Sequence, residues 1–174
     1  EFGVTQQTID VDLDTSTTIA QTKILAAKRL AEAALGAVKP SGWVALCSPV
    51  FFDALLGHPS VESFAAGWTA ASMLRDDVRD SVSIGGVTFS EYRGSYLGAD
   101  FIAAGDAYLV PLGVPGLFIT RFAPADYAEA VNTEGLPIYA KSHPLPFNRG
   151  AMLEAQSNPV NLCTQPRAVI KLTA

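Results

Sequence analysis

Ser48, His58, His143 and Asp53 are the residues whose types could assemble nucleophilic chemistry. A serine hydroxyl activated by an imidazole, itself oriented by a carboxylate, would attack an ester or amide. Their local contexts favour other roles. Ser48 stands before Pro49, the pairing of a helix N-cap with a proline at the first helical position. Each histidine precedes a proline in a loop-like stretch, and no G-x-S-x-G motif occurs. A hydrolase with dispersed residues remains an alternative, and it requires these side chains to meet within hydrogen-bond reach.

Metal chemistry has one candidate cluster. Asp76, Asp77 and Asp80 gather near Arg75 and Arg79. The spacing is not that of a calcium loop, and a solvated helix end with local ion pairs is the better explanation. Cys47 and Cys163 lie far apart, without metal spacing and without a preceding secretory signal, so both read as reduced, buried thiols of a cytosolic protein. The glycines form neither a phosphate loop nor a dinucleotide fingerprint; they punctuate turns.

The elements that must position these residues follow from periodicity. Residues 4–13 (VTQQTIDVDL) alternate apolar and polar side chains, the period of a half-buried strand. Asp14, Thr15, Ser16 and Thr17 offer N-caps for a helix over residues 19–38, where Ile24, Ala27, Ala31, Leu35 and Val38 recur three or four apart. Residues 43–47 (WVALC) read as a buried strand. A helix follows Ser48, and a second follows Pro59 and carries Val61, Trp68, Ala71 and Met73 to residue 74. Residues 81–93 (SVSIGGVTFSEYR) predict a hairpin about Gly85-Gly86. The last third, residues 101–174, strings further strands between Pro/Gly breaks: 107–111, 116–122, 137–141, 151–157 and 167–172. A loop or short helical turn occupies 124–130. The order predicts an α+β fold.

The chain has 174 residues, enough for one core, with 49% hydrophobic and 17% charged residues. Mean hydropathy is +0.24, yet no run is long enough for a membrane helix. The apolar surplus is core, or surface that other copies cover. A net charge of −5 argues against a direct grip on nucleic acid and is compatible with a wall that encloses it. The start at Glu1-Phe2-Gly3, without an initiator Met, reads as a piece of a longer protein.

Seven ordered segments resemble the major capsid proteins of lambda-type phages, the phage capsid protein E family. They are residues 1–10 (EFGVTQQTID), 45–56 (ALCSPVFFDALL), 86–94 (GVTFSEYRG), 102–108 (IAAGDAY), 114–127 (VPGLFITRFAPADY), 131–141 (VNTEGLPIYAK) and 154–172 (EAQSNPVNLCTQPRAVIKL). The resemblance implies a Hong Kong 97-type α+β capsid fold. Residues 1–174 would form one piece of a longer capsid protein, lacking the N-terminal arm and extended loop. Within it, residues 1–15 and about 146–165 would be peripheral-domain strands, and about 16–145 with 166–174 mainly axial domain. Residues 4–13 should also share a sheet with part of the last third.

The resemblance further implies no catalytic, cofactor-binding or metal-ligating residues, and no enzyme activity. The partners would be other copies in hexamers and pentamers, with scaffold, portal and decoration proteins around them, in the head of a tailed phage or prophage expressed in the bacterial cytoplasm. DNA would be enclosed without specific binding, and no membrane would be involved. A ring-forming tail component is a further alternative.

Overall fold

The computed structural model describes residues 3–65 and 81–174. The acidic cluster Asp76, Asp77 and Asp80 with Arg75 and Arg79, and the helical stretch carrying Trp68, Ala71 and Met73, lie outside the described residues. Contacts divide the chain into two units: Glu1–Pro115 with Gln165–Ala174, and Gly116–Thr164.

The first unit runs β1 (Thr8–Asp10), α1 (Ala20–Leu35), β2 (Gly42–Cys47), α2 (Pro49–Gly57), α3 (Pro59–Ala65), β3 (Val82–Ile84), β4 (Val87–Glu91), β5 (Ser95–Tyr96), β6 (Ala99–Asp100) and β7 (Asp106–Leu112). The chain then builds β8 (Phe118–Phe122), β9 (Tyr139–Pro144), β10 (Ala151–Gln156) and β11 (Pro159–Cys163) in the second unit. It returns to the first as β12 (Ile170–Thr173). The expected α+β class holds.

In the first unit six strands form a mixed sheet in the order β1-β12-β7-β2-β4-β3. Register explains its buried face. Ala45 stands opposite Leu109 and Phe89, Cys47 opposite Ala107, Leu172 opposite Ala107 and Ile9. Because side chains alternate along a strand, these residues share one side. Ile24, Ala27 and Ala31 of α1 and Phe51, Phe52 and Leu55 of α2 belong to the same buried cluster. The alanines let α1 approach closely, and full burial of each phenylalanine contributes about 1.5–3 kcal/mol. The Gly85-Gly86 turn forms as its sequence predicts. Both residues have positive φ, and Ile84 pairs with Val87 across them.

The predicted cap of α1 needs correction. None of Asp14, Thr15, Ser16 or Thr17 caps it; the N-cap position is Ile19, without a side-chain bond. Residues 12–18 turn on themselves instead, Thr15 donating to the Asp12 carbonyl and Thr18 to that of Thr15. The free helix-end donor at the buried Ala20 bonds the Ser60 hydroxyl, 3.3 Å away at the start of α3. A side chain from another helix therefore does the work of a local cap.

Of the two stretches expected as peripheral-domain strands, β1 lies in a different sheet from the strands of residues 151–163. β1 pairs in parallel with β12, whereas β10 pairs with β9 and β11 with β8. Val11 and Leu13 are buried in the first unit's cluster, so burial of that alternating stretch selects the larger sheet. β1 does share its sheet with a strand of the last third. The second unit has two separate antiparallel ladders, tied by the 156–158 turn. There Asn158 donates to the Pro124 carbonyl and Ser157 to that of Pro137.

Candidate functional site

The residues that could have formed a nucleophilic site are occupied by structural bonds. Ser48 is 1% exposed. Its hydroxyl oxygen accepts from Phe51 N at 3.3 Å, the predicted cap, and from Gly105 N at 3.1 Å. It thereby ties the start of α2 to the loop before β7.

His58 is 2% exposed. Its Nε2 lies 3.1 Å from the Thr15 carbonyl, which can only accept, so Nε2 carries the proton. Nδ1 accepts from the Ser60 hydroxyl at 2.7 Å and from the Ser60 amide. Both ring nitrogens are thus engaged away from Ser48. Asp53 lies on the exposed side of α2, and His143 is exposed on β9 in the other unit. The structure does not bring Ser48 and His58 together as nucleophile and base.

Neither cysteine is bridged. Burial pushes the Cys47 thiol up to about 12, which keeps it protonated and a poor nucleophile. Cys163 is only half-buried, a correction to the expectation that both thiols are buried. Among the described residues no group of His, Cys, Asp and Glu could hold a metal ion, and no helix is long and apolar enough to cross a membrane.

What the second unit offers is surface. Among its described side chains only Leu117, Ala125 and Ala130 are buried hydrophobics. The β9–β10 ladder shows why. Ala151, Leu153 and Ala155 stand opposite Pro144, Ser142 and Ala140. This alternation makes one face almost wholly small or apolar. Leu153 on that face is 80% exposed, and Ile138, just before β9, is 71% exposed. An isolated two-stranded ladder is marginal in water and gains stability when a face is covered. The periodicity of residues 151–157 located the strand, but the exposure of its apolar face required the partner register.

The opposite face of that ladder is polar and organised. Lys141 pairs with Glu129 at 2.6 Å and stands 4.2 Å from the Tyr127 ring centre. Hydrogen bonding from Lys141 and its positive charge hold the Glu129 carboxyl below its usual range. Desolvation, then the Glu154 carboxylate, pushes the Tyr127 phenol up. Tyr139 meets Tyr127 edge-on, accepts from Leu136 N and donates to the Glu134 carbonyl. Together these residues line an open pocket of about 380 Å³.

An exposed apolar face, and no assembled catalytic group among the described residues, stand beside what the chain is similar to. The family model described as phage major capsid protein E matches residues 1–174. The major capsid protein of Pseudomonas phage KPP10 is 32% identical over 98% of this chain and 54% of that protein. The chain thus spans about half the length of that relative. Among solved structures, the candidate capsid protein of a prophage of E. coli CFT073 is similar over 90% of this chain and 47% of its own, with a TM-score of 0.54 at 14% identity. That likeness speaks for the fold, a mixed α+β capsid fold. The match over every residue carries the conclusion: the chain belongs to the phage major capsid protein E family.

Proposed function

We propose that this chain is part of the wall of a tailed-phage or prophage head. Copies of the whole protein close into an icosahedral shell around the DNA. The observation that carries this reading is the exposed apolar face of the β9–β10 ladder, in a unit with almost no core of its own. Surface of that kind is covered by neighbours in an assembly. Family membership supplies the kind of assembly.

In this reading the protein is structural and not an enzyme. Its partners are other copies in hexamers and pentamers, with scaffold, portal and decoration proteins around them. The first unit serves as the axial domain and the ladders of the second as peripheral strands. Support for that division comes from the compact six-stranded core of the first unit, set against the two thin ladders of the second. DNA is enclosed without a specific grip, in keeping with a net charge of −5. The protein is made in the bacterial cytoplasm and ends in the virion.

Sedimentation of the full-length protein expressed with its scaffold tests the reading. Particles of many copies are expected. Persistent monomers under every assembly condition would overturn it.

A further inference from the structure

The turn between β9 and β10 is built as a projecting knob. Leu145 N donates to the Gly150 carbonyl at 2.9 Å and closes the loop. Phe147 sits at φ 60, a left-handed conformation that a bulky residue rarely adopts, and its side chain is 87% exposed. The Arg149 guanidinium lies 5.6 Å from the Phe147 ring centre. Arg149 makes no ion pair among the described residues. An exposed aromatic and a cation therefore share one strained tip, and such strain clusters where a segment is used.

The same unit carries a pocket of matching chemistry. Its lining residues include Leu136, Tyr139 and Glu134. Glu134 has no cation partner among the described residues, because Lys141 is taken by Glu129. The Tyr127 hydroxyl is shielded from solvent and has no hydrogen-bond partner. The pocket's cation, Lys141, is thus committed to Glu129, which leaves Glu134 and the apolar wall unmatched, and the tip presents both a cation and an apolar ring.

The tip cannot fill the pocket of its own chain. Tyr139 and Pro144 bound β9, and an extended strand rises about 3.3 Å per residue, so the tip stands about 16 Å or more beyond the Tyr139 wall. We infer that the Phe147–Arg149 tip of one copy docks into the Tyr127–Glu134–Tyr139 pocket of a second copy. Arg149 then meets Glu134, and Phe147 packs against Leu136 and Tyr139. The two surfaces differ, so the contact is head-to-tail and propagates around a ring or along an assembly. This inference rests on the shell-wall reading, since it needs copies to meet.

A charge swap in the full-length protein tests it by sedimentation velocity, with circular dichroism as the folding control. Arg149→Glu and Glu134→Arg should each weaken self-association about tenfold or more, and the double variant R149E/E134R should recover most of the loss. Association unchanged in either single variant, or a double variant no better than the singles, overturns the contact. The shell reading fails separately: a wild type that associates into open tubes refutes the shell, while recovery by the swap would still uphold the contact.

Discussion

The imidazole of His58 donates from Nε2 to the backbone carbonyl of Thr15, 3.1 Å away and 43 positions earlier in the chain. With Ser60 on its other nitrogen, and Ser60 in turn receiving Ala20 N, it links the loop before α1 to the junction of α2 and α3. His58, at the centre of this relay, is a buried polar group with both ring nitrogens bonded. A buried imidazole is costly to leave unpaired.

His58→Ala is expected to destabilise the protein by about 2–4 kcal/mol, because it removes the hydrogen bonds of both ring nitrogens to Thr15 and Ser60 and leaves a void. His58→Phe restores volume without polar partners and should still cost about 1 kcal/mol or more. Urea unfolding followed by circular dichroism measures both. A His58→Phe variant as stable as wild type would show that His58 acts by packing alone.

The two units should respond oppositely to truncation. Phe89, fully buried in the sheet, should cost about 3–5 kcal/mol as Phe89→Ala. Leu153→Ala, on the exposed face of the β9–β10 ladder, should stay within about 0.5 kcal/mol of wild type while lowering the yield of assembled particles. Unfolding midpoints and particle yield in the full-length protein separate the two effects. A large stability loss for Leu153→Ala would mean that its face is already covered within the chain.

Lys171 bonds Asp106 at 2.7 Å across β12 and β7. Its hydrogen bond to Asp106 raises its pKa above the ordinary 10.5 despite some desolvation. A raised folded-state value means the contribution is fully present below that ordinary value and is lost as pH rises through the folded one. The difference in thermal midpoint between wild type and Lys171→Met should hold steady from neutral pH to about 10 and shrink above it. A difference that already shrinks between pH 7 and 9 would contradict the assignment.

The parts of the fold that rest on local chemistry were legible from the residues. Ser48-Pro49 announced the start of α2, Gly85-Gly86 the β3–β4 turn, and the Ile24, Ala27, Ala31 spacing the buried face of α1. Features that rest on distant partners were not. Ala20 takes its cap from Ser60, which no window around α1 contains. The run 159–163 pairs with β8, but Pro159 and Asn161 blunt its strand signal. Residues 4–13 show a strand period, while their partner is decided by Leu172 opposite Ile9. The pocket around Tyr127 joins a helical turn, a loop and a strand, and no motif marks such a meeting.

The central claim is that this family member builds a closed wall, and particle shape tests it most directly. Electron microscopy of the full-length protein, expressed with its scaffold, should show closed icosahedral shells. Open tubes or discrete rings would point instead to a tail component, and persistent monomers would contradict the claim outright.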